Sequence, residues 1–193
     1  MRGRSRSAVL FLSAIVAVLV LSALSCPGPR TVDGKVSRVI DGDTLTLVTR
    51  EGTKLRVRLY GIDAPEIRHE TMPGQPHGEE AKDALAALVL GRWVTVEIVD
   101  IDAHRRVVGI VHGSGVDINR EMIRSGDAWA YRRYLSAPYA SGYIDAEKEA
   151  RGRRAGLWER DNPDPPWEFK RRIRHEIGNR SLILRNSFRQ ACG

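Results

Sequence analysis

Cysteine is nearly missing from this chain. Only Cys26 and Cys192 occur, near opposite ends, so neither a disulfide framework nor a cysteine metal site can be assembled, and the fold must rest on its hydrophobic core. No internal repeat is present. Acids are missing from the first 25 positions, which hold three Arg, and between positions 170 and 193 Glu176 alone faces one Lys and six Arg. The formal charge of +7 therefore lives in the two ends, while the stretch between them sums to −2. A high isoelectric point usually signals a polyanion partner. Here the basic bias sits in the tails, and the C-terminal run reads either as a solvated tail or as an electrostatic tether to nucleic acid or anionic lipid.

The 193 residues suffice for one well-buried domain with appendages, and a hydrophobic content of 42% is ordinary for a globular protein. Arg2, Arg4 and Arg6 precede a nearly unbroken apolar run from Ala8 to Leu24, closed by Ala23-Leu24-Ser25-Cys26. That is the layout of an export signal. Three readings of it stay open: cleavage after the small residues, lipid attachment at Cys26, and retention as a membrane anchor. All three place the protein outside the cytoplasm, secreted, periplasmic or on the outer cell surface. The expected organisation is a signal or anchor at 1–25, a linker at 26–33, a folded domain at 34–158, and a proline-containing linker with a basic tail at 159–193.

Within the domain, Val36, Val39 and Ile40, then Leu45 and Leu47, then Leu55, Val57 and Leu59 alternate with period two, and Glu51-Gly52 supplies a turn. From Glu79 to Leu90 the period lengthens: Ala81, Ala84, Leu85, Leu88 and Val89 share one helical face, and Gly91 stands where the helix should stop. Trp93 to Val99 and Val107 to Val111 add two strands. Asp117 suits the cap of a short helix, and a third helix is expected from near Pro138 to a stop at Gly156. Five strands with a helix between the third and fourth match a mainly β, α+β architecture, the OB-fold Greek-key barrel, although other α+β arrangements fit the pattern as well.

Acidic residues interrupt two of these strands. Val39-Ile40-Asp41-Gly42-Asp43-Thr44 and Arg58-Leu59-Tyr60-Gly61-Ile62-Asp63-Ala64-Pro65-Glu66 lie about twenty residues apart. Joined in space, Asp43, Asp63 and Glu66 would form a hard-oxygen site suited to Ca²⁺, and Arg58 a fork that fits phosphate. With no histidine or cysteine at ligand spacing beside them, zinc is poorly supported. The pairing points to metal-assisted cleavage of a phosphodiester. These two segments, with Asp102-Ala103-His104-Arg105-Arg106-Val107-Val108-Gly109, Gly126-Asp127-Ala128-Trp129-Ala130-Tyr131 and Ala155-Gly156-Leu157-Trp158, resemble the staphylococcal nuclease (thermonuclease) family from about Gly34 to Trp158. The resemblance selects the OB-fold barrel with about three helices.

Carried over residue by residue, the resemblance makes Asp43, Asp63 and the carbonyl of Ala64 ligands of Ca²⁺. It makes Glu66 the group that orients or deprotonates water, and Arg58 and Arg106 the grips on the phosphate. An ordinary glutamate, with a pKa of about 4.3, is a weak base at neutral pH, so hydrolysis is expected to rise toward alkaline pH. His104, Tyr131 and Tyr134 are the candidate substrate contacts, each with a structural reading beside it: an exposed turn for His104, a core position for Tyr131. Arg105 departs from the family, which often has glycine there, and a left-handed turn at that position would strain it. His69 and His77 flank a Pro/Gly loop but fit no strong metal motif. The expected activity is a monomeric, exported, Ca²⁺-dependent nuclease acting on DNA and RNA, preferably single-stranded, with little sequence preference and 3′-phosphate products. The alternatives are an OB-fold nucleic-acid-binding module with weak catalysis, and a surface-anchored protein whose tail contacts membrane or cell wall.

Overall fold

The structure is a computed structural model that describes residues 28–70 and 72–177. The leader, both cysteines and the chain from 178 onward lie outside the described residues. Strands β1 (Thr31–Asp41), β2 (Thr44–Val48), β3 (Lys54–Leu59), β5 (Trp93–Ile101) and β6 (Val107–Gly113) form the barrel. Their order is β3-β2-β1-β5-β6, closed by a parallel pairing of β3 with β6 through Val57↔Val107, Arg58↔Val108 and Leu59↔Gly109. Closure removes the sheet edges. The alternation read from the sequence is the alternation that is buried: Val36, Leu45, Leu47, Val57 and Leu59 all face the core. Register shifts in β1 after Val36 and Val39 mark bulges that let this long strand coil around the barrel.

Three further two-residue strands escaped the sequence pattern, being too short to show a period. β4 (Ile62–Asp63) pairs with β8 (Trp129–Ala130), and β7 (Val116–Asp117) extends β6. The β4–β8 ladder has a functional consequence, because it fixes Asp63 opposite Trp129.

Helix α1 (Gly78–Val89) lays Ala81, Leu85 and Val89 on the barrel, with Ala84 and Leu88 partly buried beside them, and the chain turns away at Gly91 with φ 73°. Helix α2 (Ile118–Arg124) is capped as expected: the Asp117 carboxylate accepts the Arg120 N–H at 2.9 Å. Helix α3 (Ala140–Gly152) is shorter than expected at both ends and buries Tyr143, Ala146, Glu147 and Ala150. Asn119 is fully buried and stitches the barrel together; its amide donates to the carbonyls of Tyr60 and Gly109, and its oxygen accepts from Val111 N–H.

Residues 166–177 form a further helix, α4. The sequence offered a solvated tail or an electrostatic tether from 170 onward and no helix there. The difference has a physical cause in the aromatics: Trp129, Ala150, Leu157 and Trp158 form a second small core, and Trp167 packs on it. Trp167 meets Trp129 edge-on at 5.6 Å and lies flat on Tyr131 at 5.0 Å, and Phe169 is buried as well. Pro165 and Pro166 suit a helix start, where proline loses no needed donor. Among the described residues no helix is long and apolar enough to cross a membrane.

Candidate active site

The turn between β1 and β2 is built by its own acids. The Asp41 carboxylate accepts the Asp43 backbone N–H at 3.0 Å, which closes the turn and aims Asp43 inward. There Asp43 Oδ1 accepts the Thr44 hydroxyl at 3.0 Å, and Oδ2 accepts the Ala64 N–H at 3.0 Å. Asp43 is 5% exposed and Asp63 only 1%, so each charge needs a partner. Arg58, at the end of β3, supplies it: one guanidinium nitrogen pairs with Asp43 Oδ2, and the other donates to Asp63 Oδ1 at 2.8 Å. Burial pushes the Asp41 carboxyl above its ordinary value, against the pull of the Arg58 charge, the Thr44 hydrogen bond and the Lys170 charge. Asp41 thus adds a carboxylate beside Asp43, through the 3.0 Å hydrogen bond from the Asp43 N–H, that the sequence pattern did not single out.

Glu66 reaches the same cluster through a residue that motif spacing did not indicate. The Lys170 ammonium of α4 lies 3.1 Å from Asp63 Oδ1 and 2.7 Å from Glu66 Oε1, so the two carboxylate oxygens are within two hydrogen-bond lengths of each other. The chain Asp43, Arg58, Asp63, Lys170, Glu66 is thus continuous. Gln75 holds the Glu66 segment in place: its side-chain oxygen accepts the Glu66 N–H at 3.0 Å, its backbone N–H donates to the Glu66 carbonyl at 2.8 Å, and its amide donates to the Asp164 carbonyl at 2.9 Å. One residue therefore ties the candidate base to the segment that leads into α4.

Arg58, Asp63 and Lys170 open onto a cleft of about 1110 Å³ that Arg106, Tyr131, Tyr134 and Trp167 also line. Arg106 is held away from the carboxylates by Asp102, whose oxygens take its Nε–H at 2.7 Å and its backbone N–H at 3.0 Å. Burial raises the Asp102 carboxyl, but these hydrogen bonds prevail and its value falls below the ordinary one. Arg105 has φ 60°, the strained left-handed turn anticipated for a residue standing in place of glycine.

The structure divides the remaining candidates. Tyr131 is half-buried between Trp167 and Tyr134, with its phenol raised by burial and by the nearby Asp63 charge, and Tyr134 is exposed at the rim. His104 is exposed on the β5–β6 turn and is not among the cleft-lining residues. His77 belongs to a structural contact, its Nε2 lying 2.8 Å from Asp127 Oδ1. Lys170 and Trp167 stood outside the recognisable motifs, and the one signal that could have found them was the density of aromatic and basic residues after Pro166.

Among the described residues no three His, Cys, Asp or Glu side chains converge closely enough to hold a metal ion alone. Two buried carboxylates do fit a hard dication, since cations already neutralise them here. Further oxygens would come from the Ala64 carbonyl and from water.

Residues 56–160 match the family described as staphylococcal nuclease homologue. The chain is 36% identical over 175 residues to a micrococcal nuclease of Shigella flexneri, an alignment covering 86% of this chain and 95% of that protein. It is 35% identical over 142 residues to an uncharacterized endonuclease of Escherichia coli, covering 73% and 86% of the two chains. Similarity at 36% over 177 residues extends to a protein named ParB from Escherichia coli, covering 87% and 94%.

Proposed function

The chain belongs to the staphylococcal nuclease family, and from that premise we propose that it is an exported, Ca²⁺-dependent enzyme hydrolysing the phosphodiester bonds of DNA and RNA with little sequence preference. That it is a nuclease of this family rests on the kinship; the ion, the substrates, the products and the location are the proposal. One observation carries it: Arg58, which lines the cleft with Asp63, bridges Asp63 to Asp43 behind the lining, and Lys170 joins Glu66 to the same cluster. Anionic oxygens that can hold a dication and a forked cation that fits phosphate, in one place, suit a phosphodiester.

When bound at Asp43 and Asp63, Ca²⁺ would supply positive charge to a phosphate oxygen and to the attacking water. The protein's own groups do the rest. Displaced from the carboxylates, the Arg58 guanidinium has paired donors for a phosphate oxygen on which charge builds as the P–O bond breaks. Arg106 can add a second grip by turning its guanidinium from Asp102, which lines the same cleft. Glu66, positioned by Gln75, orients the water and takes its proton. As a weak base it leaves the rate rising from neutral to mildly alkaline pH. Hydrolysis to 3′-phosphate ends follows the family resemblance. The basic and apolar leader at 1–25 supports export.

The test is hydrolysis of single-stranded DNA and RNA by the purified chain in Ca²⁺ and in chelator, alongside Glu66→Gln. Cleavage is expected only with Ca²⁺, and strongly reduced in Glu66→Gln. Binding without cleavage in either condition would replace this reading with that of a nucleic-acid-binding barrel.

A further inference from the structure

Seven cationic side chains line the cleft against three carboxylates, Asp63, Asp100 and Asp102. Arg58 pairs with Asp43 and Asp63, Arg106 with Asp102, Arg132 with Glu147, and Lys170 with Asp63 and Glu66. Arg133, Arg171 and Arg174 also line the cleft, and none of them has an ion pair among the described residues. Arg171 and Arg174 are exposed.

These residues are placed by a helical repeat. Trp167, Lys170, Arg171 and Arg174 stand at i, i+3, i+4 and i+7, one face of α4, and all four line the cleft. Trp167 anchors that face by stacking flat on Tyr131, with ring planes 5° apart, and Tyr134 meets Tyr131 edge-on at 4.9 Å. Lys170 brings it to the carboxylates. Arg171 beside it and Arg174 one turn on therefore bring two guanidinium groups without an ion pair among the described residues to the cleft, with Arg133 from the segment after β8 lining the same cleft. The residues matched to the family end at 160, so this wall comes from a part of the chain that the family match does not cover.

We propose that this face of α4 is a nucleic-acid-binding wall of the active-site cleft, in which Arg171 and Arg174, with Arg133, hold the phosphates flanking the scissile one in a single strand. The inference rests on the hydrolase reading for its substrate class. A single strand fits because aromatic faces beside an electropositive groove take unstacked bases while cations track the backbone. The exposed ring of Tyr134 offers such a face on the side away from the Arg133 guanidinium, which lies 5.8 Å from its centroid, whereas Trp167 and Tyr131 cover each other.

Binding is measured apart from cleavage, by fluorescence anisotropy of a labelled oligothymidylate with the full chain in chelator, across a salt series. Each phosphate neutralised on a single strand contributes about 0.7 to the slope of log affinity against log salt. Arg171→Ala/Arg174→Ala should weaken binding at low salt and make the slope shallower by about 1.4, two phosphates' worth. Arg171→Lys/Arg174→Lys should restore most of the slope, because counterion release needs charge rather than the fork. An unchanged slope and affinity in the alanine variant overturns the proposal. So does tighter binding, which would make α4 a plug rather than a wall. If the wild-type chain fails to cleave in Ca²⁺ while the slope falls as stated, the binding wall stands and the hydrolase reading falls. If it cleaves and the slope does not move, this inference alone falls.

Discussion

Arg58 has two employments, and they separate experimentally. Without metal it neutralises two buried carboxylates; with substrate it is expected to hold phosphate. Arg58→Ala should lower turnover roughly 10²-fold to 10³-fold, the cost of one lost transition-state donor, read in steady-state hydrolysis. A drop of less than tenfold would remove Arg58 from the reacting groups. Lys170 works the other way. Its ammonium holds the Asp63 oxygen that a divalent ion would draw on, and an oxygen of Glu66 beside it. At about 29% side-chain exposure water screens it in part. Even so, Lys170→Met should tighten Ca²⁺ binding about tenfold, since a unit charge a few ångströms from an ion is worth on the order of kcal/mol near a protein surface. Calorimetric titration without nucleic acid reads this directly, and equal affinity in the two proteins would show that the lysine swings clear at no cost.

Turns and helix ends set where these side chains arrive. The β5–β6 turn places Arg106 at the cleft, yet holds Arg105 at φ 60°. Relief of left-handed strain, about 1 to 2 kcal/mol, exceeds the about 0.5 to 1 kcal/mol of backbone entropy that glycine loses on folding. Arg105→Gly should therefore raise the denaturation midpoint modestly, without harming hydrolysis, because Arg105 is exposed and outside the cleft lining. At the start of α1 the argument reverses. A Cβ on Gly78 would collide with the backbone carbonyl of Glu66, which cannot give way as a side-chain tip could. Gly78→Ala should lower both thermal stability and activity, by pushing the Glu66 segment out of the grip of Gln75. Stability lost with full activity retained would disconnect this packing from the site.

Across the whole molecule, the barrel and the helical layer meet at Tyr139 and Tyr143. Tyr139 donates its hydroxyl to Glu97 of β5 at 2.6 Å, and that hydrogen bond, then burial and the Glu97 charge, push its phenol from 10.0 up to about 12. A folded value above the unfolded one means a contribution fully present below pH 10 and lost as pH rises through about 12. Denaturant midpoints should fall over that window, and fall less in Tyr139→Phe. Tyr143, raised in the same direction by burial and by Asp117, keeps a residual slope; identical slopes in the two proteins would deny Tyr139 the role. The same scale explains what could be read early. Period-two runs at Val36 to Leu59, the face of Ala81, Leu85 and Val89, the Asp117 cap and the strained Arg105 were all legible, because each depends on neighbours a few residues away. The two acidic segments suggested that Asp43, Asp63 and Glu66 meet, but the pairing of Arg58 with both Asp43 and Asp63 was not legible, since the sequence offered that guanidinium only to phosphate. Nor was Asp41 as a carboxylate beside Asp43, since a turn residue and a site residue look alike until burial is known. Lys170 was not either. It meets Asp63 across 107 positions, by way of a tryptophan stack and a glutamine clamp that leave no local period. The sequence by itself determined the five long strands, the first three helices and the acids and arginines at the ends of the strands, because alternation, capping and turn strain act through near neighbours, and family likeness in its motifs selected the barrel among the arrangements that pattern allows. Only the tertiary structure decided that α4 lines the cleft and that Lys170 sits between Asp63 and Glu66, because aromatic packing and charge pairing act between surfaces that the chain brings together only on folding.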